Sequence, residues 1–283
     1  MVKKAVLIGI NYKNSPVKLN GCINDIRNMN KILTENCGYQ TSNIRVLTEE
    51  DNIKPTRKSI EENISWLVSN CQAGDTLVFY YSGHGSSIND TNGDEADKKD
   101  EVIIPLDYLQ AGVITDDYLR SNMVTKVPSG ATMWVFTDCC HSGTMVDLKY
   151  NYRSMCTFTK GQIKKGMPYA PGDWTNQYAM NVEKGNDTQG SVFLFSGCLD
   201  VETSADALIQ KQFQGAFSFC LMEFIKGNME KKSDGKVVFR NGVVKLRNVL
   251  KEINARLDIN NYTGQNSQLS VGKAGDVDKT FDL

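Results

Sequence analysis

The sequence predicts an α/β protein with a mostly parallel central sheet that is flanked by helices on both faces. Its apolar, β-branched runs are continuous rather than alternating, which is typical of strands that are covered on both sides. Helical patterns lie between successive runs, and strands that alternate with helices indicate a parallel sheet. The chain has 283 residues, which is ample for one large buried core.

The predicted strands and helices follow one another along most of the chain. Four strongly apolar runs and one weaker run predict five strands: 5–10, 76–81, 131–136 and 191–197, with 43–48 as the weaker one. Periodic apolar positions predict five helices between and after these strands: 24–36, 55–71, 115–124, 213–227 and 243–257. Pro55 and Thr56 provide a start signal for the second helix.

Two segments interrupt this alternation. Residues 89–101 are acidic and carry a turn signal, and residues 147–190 are rich in Lys, Gly, Asn and Pro with little periodicity. A stretch as long as the second one is usually a functional or mobile loop. We therefore predict one domain over 1–283, in which a mobile linker loop (147–190) joins a larger part (1–146) to a smaller part (191–283).

Composition and charge exclude several classes of protein. The net charge is −1, so neither nucleic acid nor an anionic membrane surface is expected as a partner. No stretch approaches the roughly 20 apolar residues that cross a bilayer, and the apolar run near the N-terminus is too short for a signal peptide. The eight cysteines lie in core-like sequence, which favours reduced thiols and a cytoplasmic location.

The segment FTDCCHSGT (136–144) contains two adjacent cysteines and one of the two histidines of the chain. Three neighbouring side chains cannot easily turn toward one metal, and no second ligand pair follows, so a structural zinc site is rejected. A cysteine outside a disulfide often behaves as a small buried hydrophobe. A pair of core cysteines therefore explains this motif as well as a catalytic nucleophile does.

The other histidine, His84, lies in FYYSGHGSS (79–87), just past the end of a predicted strand. The two cysteines also follow a strand, and open parallel sheets bind ligands beyond the carboxyl ends of their strands. Gly83 and Gly85 flank His84 and allow a tight turn close to a substrate. A histidine and a cysteine at one sheet edge are the pair that nucleophilic catalysis requires.

The residue pattern does not decide between the two cysteines by itself. Side chains alternate along a strand, so Cys140 shares a face with Asp138, whereas Cys139 points to the opposite face. Alternation can fail in a turn, and both cysteines remain candidates at this point.

The combination of YSGHG with DCCHSG resembles the metacaspases, which are caspase-like cysteine peptidases. Five more segments match that family in the same order: LNGCINDI (19–26), DEVIIPLDY (100–108), ITDDYL (114–119), SGCLDVETSAD (196–206) and NSQLS (266–270). The resemblance implies a caspase-like (caspase-hemoglobinase) fold and a monomeric peptidase. It also implies that Cys140 is the nucleophile and His84 the base.

The family chemistry indicates which groups would take part. An imidazole activates a thiol that is otherwise mostly protonated at neutral pH, and the backbone N–H groups of Gly85 and Cys140 are candidate donors to the oxyanion. His141 is next to the nucleophile and would point away from it. No third member of a catalytic triad is evident from the sequence.

By the same resemblance, Asp25 and Asp138 line a pocket for an Arg or Lys before the scissile bond. Two carboxylates suit a guanidinium fork or an ammonium group. The alternative for Asp25 is a helix N-cap. Other family positions around this pocket match Cys22, Ser82 and Ser196.

The acidic block raises the question of calcium. An EF-hand loop is rejected, because the glycine of DTNGDEADKKDE stands at position four instead of six. The resemblance implies that Ca²⁺ binds instead to four other carboxylates: Asp100, Asp116, Asp117 and Asp147. The alternative is a solvated loop followed by a helix N-terminus, where acidic residues are favourable anyway. Lys98 and Lys99 in this block would weaken calcium binding.

The sequence thus predicts a calcium-dependent endopeptidase that cleaves protein or peptide substrates after Arg or Lys. A peptidase that cuts after Asp would need a basic pocket, and an inactive scaffold would be favoured by loss of the cysteine or histidine, which are both present. Self-cleavage is expected in the 147–190 loop, where five basic residues are available: Lys149, Arg153, Lys160, Lys164 and Lys165.

Overall fold

The computed structural model of the protein describes most of the chain. The described residues are 1–89, 99–139, 144–154, 178–182, 185–197, 206–209, 212–260, 262 and 265–283. No helix among them is long and apolar enough to cross a membrane.

The strands are numbered in chain order. They are β1 (Lys3–Gly9), β2 (Ile44–Thr48), β3 (Thr76–Ser82), β4 (Gly85–Asn89), β5 (Lys99–Ile103), β6 (Ile114–Thr115), β7 (Thr132–Asp138), β8 (Tyr150–Ser154), β9 (Tyr178–Val182), β10 (Ser191–Ser196), β11 (Asp206–Ile209), β12 (Gln212–Gly215), β13 (Met229–Lys231), β14 (Val237–Phe239) and β15 (Gln268–Val271). The helices are α1 (Cys22–Asn36), α2 (Arg57–Val68), α3 (Tyr108–Ala111), α4 (Asp116–Asn122), α5 (Ala216–Gly227) and α6 (Leu246–Ile259).

The central sheet has eight strands in the order β2-β1-β3-β7-β10-β15-β8-β9. The first five strands in this order, β2, β1, β3, β7 and β10, are parallel. The last three, β15, β8 and β9, each pair with their neighbours in antiparallel fashion. Because β1 pairs with β2 on one side and β3 on the other, the chain changes direction across the sheet between β1 and β3. Crevices at such switch points are where open α/β sheets bind ligands.

Alternate residues of the central strands enter two separate cores. Leu7, Tyr80 and Phe136 pack on the face covered by α1, α5 and α6. Phe79 and Val135 pack on the opposite face with residues of α2 and α4. Both faces of the sheet are therefore buried under helices, which explains the continuous apolar runs and confirms the predicted fold class.

The C-terminal residues complete the first of these cores. Phe281 is fully buried, and its ring centroid lies 4.8 Å from that of Trp134 and 5.5 Å from that of Phe224. The indole N–H of Trp134 donates to the carbonyl of Asp282 at 2.7 Å. The end of the chain thus anchors the centre of the sheet.

Three features differ from the sequence prediction. Part of the acidic segment 89–101 belongs to a three-stranded sheet of β4, β5 and β6, and residues 90–98 lie outside the described residues. The stretch 147–190 contributes β8 and β9 to the central sheet, so the prediction of a structureless loop was wrong at these strands. The helix predicted from 213 begins at Ala216, because residues 212–215 pair with 206–209 as a hairpin.

Candidate active site

The strand register brings the predicted site segments to one edge of the sheet. Gly9, Ser82 and Asp138 are level neighbours on β1, β3 and β7. Beyond that level, the backbone N–H of Gly83 donates to the carbonyl of Asp138 at 3.3 Å. His84 follows the end of β3 and Cys139 follows the end of β7. Because these strands are neighbours, the two residues lie at the same edge of the sheet.

The imidazole of His84 is held by two groups from one segment, residues 11–17, that follows β1. Its Nε2 lies 2.6 Å from the carbonyl oxygen of Val17, and its ring centroid lies 4.7 Å from that of Tyr12. A carbonyl oxygen can only accept, so this contact assigns the proton of the neutral ring to Nε2 and leaves Nδ1 as the basic nitrogen. The sequence offered no signal for Val17, because its contribution is a backbone carbonyl.

Two buried tyrosines form hydrogen bonds that fix the backbone around His84. Tyr81 OH donates to the carbonyl of His84 at 2.7 Å, and Tyr12 OH donates to the carbonyl of Ile104 at 2.6 Å. The backbone N–H of His84 in turn donates to Tyr12 OH at 3.1 Å. Burial raises the pKa of both phenols well above the ordinary value, so both hydroxyls remain protonated donors. Tyr81 was predicted only as a strand residue, and Tyr12 was not singled out.

Of the two adjacent cysteines, Cys139 is among the described residues and Cys140 is not. Cys139 is 1% exposed and packs in the core on the α2 and α4 face, opposite to the core of Trp134 and Phe136. Cys140 lies outside the described residues, together with His141 and the rest of 140–143. The side chain of Cys139 therefore lies on the face that strand alternation predicts for it.

Asp25 and Asp138 meet at the N-terminus of α5. The N–H of Gly215 lies 3.2 Å from both carboxylate oxygens of Asp25, and Ser218 donates to Oδ2 of Asp138 from its N–H at 2.8 Å and its hydroxyl at 2.6 Å. A Cβ at position 215 would lie 2.0 Å from Oδ2 of Asp138, so only glycine fits between the two carboxylates.

The remaining predicted pocket residues lie around these aspartates. Ser82 Oγ donates to Oδ2 of Asp25 at 2.9 Å, and Cys22 opens α1 one turn before Asp25. Ser196 ends β10 beside β7, and its carbonyl accepts a bond from Ser267 at 2.8 Å. The N-cap of α1 is Gly21, so the alternative of Asp25 as a helix N-cap is wrong.

Burial raises the pKa of Tyr80 well above its ordinary value, and the nearby carboxylates of Asp25 and Asp138 raise it further. Its hydroxyl bonds to the hydroxyl of Ser218. Tyr80 is therefore a protonated neighbour of the two aspartates, a contact that the sequence did not predict.

The four predicted calcium ligands come from two stretches of the chain, residues 100–117 and residue 147. Asp100, Asp116 and Asp117 lie where β5 meets the start of α4, and the oxygens of Asp116 accept N–H bonds from Glu101 at 2.6 Å and Asp117 at 2.8 Å. Asp147 is linked to the same helix, because the Arg120 guanidinium donates to its carbonyl.

These carboxylates suit a hard cation in kind. Among the described residues, no group of three or more His, Cys, Asp or Glu side chains is arranged to hold a metal ion. A set made only of carboxylate oxygens is the donor chemistry that Ca²⁺ prefers.

Comparison with solved structures defines the class of fold. The crystal structure of protein GSU0716 from Geobacter sulfurreducens matches with a TM-score of 0.64 at 22% identity, over 99% of this chain and 98% of that one. The crystal structure of caspase-1 from Spodoptera frugiperda matches with a TM-score of 0.51 at 11% identity, over 95% and 84% of the two chains. The fold is caspase-like.

Sequence comparison identifies the family within this class. Residues 3–149 match the metacaspase, peptidase C14 domain. Metacaspase-1 of Scheffersomyces stipitis is 37% identical in an alignment of 258 positions that covers 79% of this chain and 62% of that protein. Metacaspase-1A of Neurospora crassa is 33% identical in an alignment of 313 positions, gaps included, that covers 99% of this chain and 64% of that protein. The chain belongs to the metacaspase family and carries its peptidase domain, and it spans less than two thirds of the length of these relatives.

Proposed function

We propose that this protein is a cysteine endopeptidase that cleaves peptide bonds after Arg or Lys, with Cys140 as nucleophile and His84 as base. The observation that supports this most strongly is the contact that orients the imidazole of His84. Its Nε2 lies 2.6 Å from the Val17 carbonyl, which leaves Nδ1 as the nitrogen able to take a proton. Membership of the metacaspase family supports the reaction type.

In the proposed reaction, the thiol proton of Cys140 passes to Nδ1 of His84, and the thiolate adds to the scissile carbonyl carbon. The resulting oxyanion accepts hydrogen bonds from the N–H groups of Gly85 and Cys140. His84 then gives its proton to the leaving amine as the C–N bond breaks. Water hydrolyses the remaining thioester and restores the thiol.

The preference for basic residues is proposed from Asp25 and Asp138. Both are buried, and the donors described above are backbone N–H groups and serine hydroxyls, which are neutral. A guanidinium or ammonium group of the substrate would bring a positive charge to two neighbouring carboxylates. An aspartate at the same substrate position would be repelled.

We further propose that Ca²⁺ activates the enzyme through Asp100, Asp116, Asp117 and Asp147. When bound, the ion would supply positive charge that joins the segment after Cys140 to the start of α4. The hydroxyl of Thr144 donates to the carboxylate of Glu101 at 2.7 Å, which already connects the segment after Cys140 to β5. The same residues would repel one another without a cation.

One assay tests the proposed function. Purified protein is offered fluorogenic peptides that end in Arg, Lys or Asp, each with Ca²⁺ or with a chelator, and Cys140→Ala serves as the control. Cleavage of the Arg and Lys peptides only, with Ca²⁺ only, is the expected result. Cleavage of the Asp peptide would refute the acidic pocket, and equal activity in chelator would refute the calcium mechanism. Failure to cleave any peptide would favour an inactive scaffold.

A further inference from the structure

The carboxylate of Glu49 binds the segment that holds His84. Its Oε2 accepts the N–H of Asn11 at 2.5 Å and of Tyr12 at 3.0 Å, and its Oε1 accepts the N–H of Lys13 at 2.8 Å. Glu49 follows β2, so these bonds cross from one strand end to the next. Hydrogen bonds to an ionised acceptor are roughly twice as strong as neutral ones.

The segment needs such a clamp, because Tyr12 adopts an unfavourable backbone conformation. Its φ is +50°, in the left-handed region that residues other than glycine rarely occupy. Strained residues of this kind persist only where the surroundings hold them firmly. Two of the three bonds to Glu49 come from the N–H groups of Asn11 and Tyr12. The carboxylate therefore stabilises the strained backbone of Tyr12 directly.

Both supports of the His84 ring belong to this clamped segment. Tyr12 packs its ring against the imidazole and accepts the backbone N–H of His84, and Val17 supplies the carbonyl at Nε2. The bond from the Ser15 N–H to the Tyr12 carbonyl, at 3.0 Å, makes a turn between these two supports. A shift of residues 11–13 would therefore move both contacts of the imidazole.

We infer that Glu49 is a positioning residue for His84, which acts through residues 11–17 to set the tautomer and orientation of the imidazole. The consequence for turnover rests on the proposed function. The consequence for the imidazole does not, because it follows from the contacts alone.

The test compares three substitutions at two neighbouring residues. Glu49→Gln keeps the shape of the side chain but replaces one accepting oxygen with an NH₂ group that cannot accept an N–H. Glu50→Gln is the matched control, because Glu50 is exposed and pairs with Lys13 of the same segment. Glu49→Asp keeps both oxygens on a shorter side chain.

We expect Glu49→Gln to lower kcat for an Arg peptide by about 100-fold, the size of effect that a small misplacement of a catalytic group produces. KM should change by less than about 2-fold, since Asp25 and Asp138 are not touched. Glu50→Gln should match wild type, and Glu49→Asp should fall between the two.

Nitrogen-15 NMR of the imidazoles supplies a readout that needs no peptidase activity. The chain has two histidines, so His141→Gln leaves the signal of His84 alone. At high pH this signal should report the Nε2–H form, and Glu49→Gln should convert it to a mixture of both tautomers. The inference is overturned if Glu49→Gln retains the wild-type signal. If Glu49→Gln does not fold, the same criterion applies to Glu49→Asp. If the wild-type protein cleaves no peptide and Glu49→Gln still changes the signal, the clamp is supported and the proposed function is refuted.

Discussion

At the scale of single residues, the two adjacent cysteines carry different predictions. Cys140→Ala should abolish cleavage, because the thiolate is the proposed nucleophile. Cys139→Ala should retain much of it, since Cys139 is buried in the core on the face away from Asp138. Initial rates on an Arg peptide measure both variants, with circular dichroism to check folding. Equal loss of activity in two folded variants would contradict the assignment.

The proposed specificity pocket gives a second prediction at this scale. Asp138→Ala should raise KM for Arg and Lys peptides steeply, because leaving one partner of a buried charge pair alone costs roughly 3–5 kcal/mol. It should also lower the free energy of unfolding by about 1 kcal/mol, since Asp138 caps the N-terminus of α5 through Ser218. Kinetics and urea denaturation measure the two effects.

Ser218→Ala is the matched control for that variant. It removes the hydroxyl bond to Asp138 but leaves the carboxylate and the backbone N–H in place. Its effect on KM should therefore be smaller. If Asp138→Ala cleaves Arg peptides with an unchanged KM, the basic side chain binds elsewhere.

Residues also show where prediction from the sequence ends. Asp25, Ser82 and Asp138 were predicted together because side-chain chemistry and strand ends are visible in the sequence, and the structure brings them into contact. The carbonyl of Val17 and the left-handed backbone of Tyr12 leave no mark on residue type. Both arise from the path of the chain after β1, which tertiary contacts determine.

At the scale of secondary-structure elements, the end of the chain gives a prediction about stability. Phe281→Ala should lower the free energy of unfolding by about 3–5 kcal/mol, because the ring is fully buried among aromatic side chains. Val243→Ala is the control, since Val243 is 61% exposed and should change stability by less than about 0.5 kcal/mol. Urea denaturation measures both. A Phe281→Ala variant as stable as the control would show that the core does not depend on this anchor.

The junction of β5 and α4 carries the calcium prediction. The calcium-free protein should be folded but nearly inactive, and millimolar-range Ca²⁺ should activate it, as expected of weak carboxylate sites. Calorimetry should detect binding in wild type and much weaker binding in Asp117→Asn. Full activity in chelator with no heat of binding would return these aspartates to a structural role at the helix N-terminus.

Elements differ in how well the sequence predicted them. The parallel strands were predicted correctly, because burial on both faces requires continuous apolar runs. β8 and β9, with the sequences YNYRS and YAMNV, mix polar and apolar residues, and their place is set by pairing with β15 and with each other. Such long-range pairing has no local signature. The helix predicted from 213 starts later because residues 212–215 pair with 206–209 as a hairpin.

At the scale of the whole molecule, the order of strands bears on the predicted self-cleavage. Arg153 lies within β8, which is paired on both sides, so we expect no cut there. Lys160, Lys164 and Lys165 lie between β8 and β9 in the chain, outside the described residues, and we predict cleavage after one of them. Mass spectrometry of the Ca²⁺-treated protein locates the cut. Replacing these three lysines with glutamine should prevent it, and a cut after Arg153 would contradict the expectation.

Such a cut would produce two polypeptides whose strands remain interleaved in the same sheet. The first would keep β8, which lies between β15 and β9 of the second, and its β7 would still pair with β10. Separation would require three strand pairs of the sheet to break: β7 with β10, β8 with β15 and β8 with β9. The cut protein should therefore elute from a sizing column as a single species of unchanged volume, and the two pieces should part only in denaturant.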